Sequence, residues 1–261
     1  MSTIQRQFFY ALILSISPLA TAAVNTFDDI DHWTGSGENQ AAMVIDWHDG
    51  SGSAKVWGIQ FDGTITVDSA VRQVLAADSR LYGVANGSFW MAYGYDTDSA
   101  GQQGVTIPAG TSNPYTPTAG VITYDEAWSM PGSTPLDSND YYGSDDGVAS
   151  TSWGLYVPDT TAYDDNGTPA NFWDDWGTVG AATSYSDITF SASAVGGSVL
   201  NLQDGSWFAS SFGDYDGSWI HQTPPSASAG LQAASVPEPM TLSLMAMGGL
   251  GLLRRRRKAT N

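Results

Sequence analysis

The chain has 261 residues, a formal charge of −18, ten Trp, twelve Tyr, nine Phe and no cysteine. The missing thiols exclude disulfides, cysteine nucleophiles and thiolate-bound zinc, so aromatic burial has to stabilise the fold. The negative excess repels polyanions, and a nucleic-acid role is excluded on that ground.

Residues 1–22 read as a signal peptide. Arg6 supplies a positive start, residues 8–16 a short apolar run, Pro18 a helix break, and Ala20 and Ala22 the small residues that signal peptidase requires. Cleavage after Ala22 would make Ala23 the first residue of the exported chain. All 27 acidic residues except Glu238 fall within 23–235, where the only cations are Lys55, Arg72 and Arg80, so this stretch has a formal charge near −23. Such acidity confers solubility outside the cell and attracts calcium or cationic partners.

Within that stretch, 41–47 alternates and is rich in β-formers, His48 to Ser53 is turn chemistry, and 55–61 reads as the second strand of a hairpin. Asp68 can cap a short helix whose Val71, Val74 and Leu75 share one face. Residues 80–85 and 88–93 flank Asn86-Gly87, which predicts a hairpin with a type I′ turn. Further strands are predicted over 121–128, 148–157, 188–194, 198–202 and 206–212, with the longest loops at 101–117 and 131–147. Residues 223–235 read as a Pro, Ser and Ala linker. The expected architecture is mainly β, a sandwich-like, two-layer antiparallel domain over 23–222 with one short helix, plus an N-terminal signal helix and a C-terminal hydrophobic helix.

The C-terminal stretch runs Val236-Pro237-Glu238-Pro239, then an apolar segment over 240–253, then Arg254, Arg255, Arg256, Arg257 and Lys258. As a helix the 14 apolar residues reach about 21 Å of a roughly 30 Å hydrocarbon core. Thr241, Ser243, Gly248, Gly249 and Gly251 weaken the segment further, so it suits a temporary membrane span. The Arg cluster would stay cytoplasmic by the positive-inside rule. The ordered combination resembles the PEP-CTERM sorting signal of Gram-negative bacteria, whose members are substrates of the membrane protease exosortase. The resemblance implies signal peptidase and exosortase as partners, a transient inner-membrane intermediate, delivery to the envelope, surface or extracellular matrix, and association with exopolysaccharide. Val236, Pro237, Glu238 and Pro239 would be the recognition or processing element, and Arg254 to Arg257 the retention charge.

A second resemblance covers most of 23–235. Residues 43–50, with Asp46-Trp47-His48-Asp49-Gly50, together with 56–63, 76–82 and 202–208, are similar to a domain met in bacterial surface proteins. That domain has no settled activity. Some of its relatives resemble partners of corrinoid uptake, which adds corrinoid to glycan as an expected ligand class.

Candidate chemistry is sparse. Asp96 and Asp98 begin a calcium-loop pattern, but Ala100 removes the next ligand and Ile107 stands where an EF-hand needs Glu, so only a looser calcium site is expected, shared with carboxylates of another loop. Trp173, Asp174, Asp175 and Trp176 form the best candidate sugar platform. Trp47 and Trp57 read as core, and His32, His48 and His221 as scattered surface histidines. With no His-Glu-x-x-His, Gly-x-Ser-x-Gly or phosphate-loop pattern, the leading expectation is a non-enzymatic surface protein. A ligand-binding domain and a polysaccharide-active enzyme are the alternatives.

Overall fold

The computed structural model describes residues 23–48, 54–98, 102–145, 151–164, 175–214, 222–226 and 232–234. The expected signal peptide, the sorting signal with its apolar segment, Trp173, Asp174 and His221 lie outside the described residues. Strands β1 (Trp33–Gly35), β2 (Asn39–Asp46), β3 (Lys55–Phe61) and β4 (Ile65–Thr66) precede the α-helix α1 (Val67–Ala77). After it come β5 (Leu81–Asn86), β6 (Phe89–Tyr95), β7 (Val105–Thr106), β8 (Val121–Thr123), β9 (Thr134–Pro135), β10 (Tyr141–Ser144), β11 (Thr151–Pro158) and β12 (Ala162–Asp164). The chain then forms β13 (Trp176–Thr178), β14 (Phe190–Ala192), β15 (Leu200–Leu202), β16 (Ser206–Asp214) and β17 (Gln232–Ala233).

The protein is thus mostly β, with one α-helix among the described residues, as composition and turn signals predict. No helix among those residues is long and apolar enough to cross a membrane. A seven-stranded sheet in the order β1-β3-β2-β16-β11-β14, with β17 also on β3, forms the centre. A four-stranded sheet, β10-β6-β5-β8, packs beside it with α1.

Alternation in β2 works differently from the expected two-layer antiparallel sandwich. Ala41, Met43, Ile45 and Trp47 enter one core with Val71, Val74, Leu75, Tyr93 and Trp153, while Ala42 and Val44 enter a second core with Trp207, Tyr185 and Ile30. Both faces of the central sheet are therefore covered, which is the setting in which parallel strands are stable. The sheet is indeed mixed. β2–β3 and β11–β16 pair antiparallel, whereas β2–β16, β1–β3 and β17–β3 pair parallel. Long excursions separate β2 from β16, and only a hairpin would impose the antiparallel sense.

Two local expectations shift by one or two residues. Thr66, not Asp68, caps α1: its Oγ1 accepts from the Ser69 N–H at 3.2 Å, leaving Asp68 in the first turn. In the β5–β6 hairpin Asn86 pairs with Phe89, so the loop is Gly87-Ser88. Positive φ falls on Gly87 (63°) and not on Asn86, the pattern of a type II′ rather than a type I′ turn. Asn86 instead donates its side-chain N–H to the Ala127 carbonyl at 3.2 Å.

The strand predicted over 121–128 stops at Thr123, because Asp125 and Glu126 break the apolar run. The Pro, Ser and Ala stretch is also not a free spacer where it is described. Ser211 Oγ donates to the Thr223 carbonyl, the Ser226 N–H donates to Asp46, and Gln232–Ala233 forms β17.

Candidate functional site

An apolar recess lies where the first turn of α1 meets β6, β11 and β16. Its volume is about 190 Å³, and Val67, Val71, Phe89, Trp90, Trp153 and Leu155 form much of the wall. Trp90 lies flat across β5 because Gly83 has no Cβ there; one would meet the indole at 2.9 Å. The ring is then fixed from three directions. Its Nε1–H donates to Asp68 at 3.2 Å, Tyr93 stacks on it at 5.5 Å, and the Arg72 guanidinium lies 5.0 Å from its centre. Arg72 also pairs with Asp68 at 3.0 Å, so the carboxylate in the wall is neutralised in place.

Polar atoms converge on the recess. Ser210 Oγ donates to the Tyr93 hydroxyl over a long 3.4 Å, and Ser88 stands at the hairpin turn. Burial keeps the Tyr93 phenol protonated well above the usual range despite that bond. Outside the mouth, Phe89 is 41% exposed and Trp128 68% exposed, with the two rings in edge contact at 6.1 Å. The aromatic surface thus runs continuously from solvent into the recess.

The other charged groups serve the fold. Lys55, Arg72 and Arg80 each sit over an aromatic ring, Lys55 and Arg80 both over Tyr95. Asp78 is fully buried and accepts from Trp57 Nε1 at 3.0 Å and from Arg80 Nη2 at 2.8 Å, with His32 Nδ1 at 3.4 Å. Burial alone would raise its pKa, but these partners hold it far below the usual carboxylate range. His32 is therefore a buried partner of Asp78 and not the surface histidine expected.

His48, at φ 49°, brings Nε2 to Ser211 Oγ at 2.9 Å and to Asp46 at 3.3 Å. This is a Ser-His-Asp grouping without relay geometry. Both partners meet the same ring nitrogen, whereas a relay needs one on each. The Ser211 hydroxyl is, moreover, directed at the Thr223 carbonyl at 2.8 Å. The group ties the 222–226 segment to the domain.

At the acidic edge, Asp96 Oδ1 accepts from the Asp98 N–H at 3.1 Å, and Asn139 donates to Asp98 at 3.2 Å. The Tyr82 hydroxyl donates to Asp140 at 2.8 Å. Partial burial and then the nearby charges of Asp96, Asp137 and Asp98 push the Asp140 pKa up to about 6, against the Tyr82 bond that lowers it. The charges of Asp96 and Asp98 thus act on Asp140 of another loop. Among the described residues, however, no three His, Asp or Glu side chains converge closely enough to hold a metal.

Of the expected sugar platform, Trp176 lies in β13 and is 42% exposed, near the 44% exposed Tyr163 of the adjoining β12. The aromatic recess was not legible as a site, because 121–128 reads as a strand that would bury Trp128. The break at Asp125-Glu126 is the signal that could have found it.

The two ends of the described domain meet at one sheet edge. Ala23 bridges Gln232 in the antiparallel sense, and β17 runs along the outer edge of β3, with the Ala234 N–H donating to the Val56 carbonyl at 3.0 Å. Ala23 and Ala234, the first and last described residues, therefore lie together at that edge.

Residues 235–258 match the PEP-CTERM protein-sorting motif. No curated protein and no solved structure matches the chain. The motif marks the chain for exosortase-type sorting and export towards the cell envelope. It begins at the residue after Ala234, the last described residue of the domain, which is fully buried.

Proposed function

We propose that this is a non-enzymatic component of the surface or extracellular matrix of a Gram-negative bacterium, delivered by way of an inner-membrane intermediate and associated with exopolysaccharide. Residues 1–22 act as its signal peptide, 23–234 as the exported domain, 240–253 as a temporary span and Arg254 to Lys258 as the cytoplasmic stop. The observation that carries the reading is the convergence of Ala23 and Ala234 on one edge, next to the sorting motif. With both ends of the described domain at one edge, the domain can fold on the outer face of the membrane while the segments before and after it are still engaged. The single-nitrogen geometry at His48 supports a non-enzymatic reading, since the most enzyme-like grouping is used to fasten a loop. Calcium belongs to the proposal as the hard cation that Asp96 and Asp98 would draw.

Replacing Pro237, Glu238 and Pro239 together by alanine is expected to leave the full-length chain in the inner-membrane fraction, while the unaltered protein reaches the outer fractions in a shortened form. Immunoblots of fractionated cells read the difference. Equal processing and distribution of the two chains would overturn the proposal.

A further inference from the structure

We infer that the recess between α1, β6, β11 and β16 is a binding site for one uncharged sugar residue of a polysaccharide, with Phe89 and Trp128 as the landing surface for the neighbouring residue. The inference deepens the matrix reading above and rests on it for the source of the glycan.

Size sets the first limit. At about 190 Å³ the recess is smaller than the ~300–1,000 Å³ typical of pockets that bury drug-sized ligands, so it accepts one ring and leaves the rest of a chain outside. What the chain would meet outside is the second observation. Phe89, Trp128, Tyr163 and Trp176 are the exposed large hydrophobic residues described, and two of these four touch one another beside this opening. Trp128, 68% exposed, meets Phe89 in an edge contact and still turns ring surface to solvent, a flat apolar face that matches the C–H face of a pyranose.

Charge selects the class. The domain carries three cations, each already placed over a ring, so none is offered to an anionic polymer, and the surplus carboxylates repel one. A cationic ligand is disfavoured as well, because Arg72 already neutralises Asp68. The remaining demand is for hydroxyls. Each Asp68 oxygen accepts one hydrogen bond, from Trp90 or from Arg72, and keeps a lone pair for a ligand O–H. Ser210, held by its 3.4 Å bond to Tyr93, can exchange that weak contact for a better one. Val195, Leu155 and the Gly196-Gly197 backbone offer an apolar wall to the opposite ring face. A neutral pyranose meets all of these, whereas a purely apolar molecule would leave Asp68 and Ser210 unanswered.

The test titrates the full-length chain in nanodiscs with cellohexaose, maltohexaose and laminarihexaose, with an alginate hexamer and indole as contrasting probes, following tryptophan emission and binding heat. At least one neutral hexamer is expected to saturate, with a shift in emission, and alginate is expected to give no signal. Trp128→Ala, on an exposed side chain, should weaken that hexamer by about fivefold or more, and Val195→Phe, which fills the recess, should abolish it. Unchanged far-ultraviolet dichroism shows that each variant folds. Saturation by indole with none by any neutral hexamer would overturn the inference, as would silence from every probe or an unaltered affinity in both variants. Its failure is distinguishable from failure of the sorting proposal, since one reads affinity and the other reads fractionation.

Discussion

Asp78 and Asp140 are both aspartates of one acidic domain, yet the fold treats them in opposite ways. Asp78 is fully buried among donors: an indole, a guanidinium and an imidazole meet it, and its charge is favoured. Asp140 accepts from the Tyr82 hydroxyl but has carboxylates around it, and its charge is disfavoured. A surplus of negative charge can therefore be used in two ways. One carboxylate fastens the core where cations and N–H groups are supplied, and others crowd where they are not.

The contrast can be broken most forcefully at Asp78. Asp78→Ala removes the buried acceptor that Trp57 and Arg80 share and should cost about 3–5 kcal/mol, read by urea unfolding at pH 7. Because the folded pKa is depressed, the stabilisation is complete above the ordinary value of 3.8 and is lost as pH falls below it, so the variant should also lose that acid limb. Next in size, Trp57→Phe keeps an aromatic ring but leaves a small void and removes one donor to Asp78, at a cost of about 2–3 kcal/mol. Smallest and opposite in sign is Asp140→Asn. The raised folded pKa means that native Asp140 binds its proton more readily than the unfolded chain does. Its contribution to stability is present below 3.8 and lost as pH rises through about 6. Removing the charge should therefore stabilise the protein at pH 7 by about 1 kcal/mol after allowance for solvent screening, with the gain fading towards pH 4 in thermal melts. A destabilised Asp140→Asn, or a neutral Asp78→Ala, would dissolve the distinction.

The sequence announces its long, patterned elements and hides its short ones. β2, β3, β5, β6, β11 and β16 are legible because six to nine positions in each carry a strand pattern, and Trp47 and Trp57 are buried as expected. β4, β7, β9 and β17 have two residues each and no period to read; their pairing is a tertiary fact. The parallel sense of β2 and β16 is hidden for the same reason, since it depends on how a chain 160 residues later returns to Gln40, whose N–H donates to Asp204. The sorting motif was fully legible, being linear. The aromatic recess was not, because its wall is assembled from five separate stretches and its rim depends on where one strand stops.

The placement of the domain's cations has a consequence for its survival outside the cell. A protease that cuts after Lys or Arg finds three such residues between Ala23 and Ala234, and each lies against an aromatic ring in the folded state. Six of the nine basic residues lie instead outside that stretch, Arg6 before it and Arg254 to Lys258 after it. Trypsin-like digestion of the folded protein would accordingly trim the two ends and spare the domain between them.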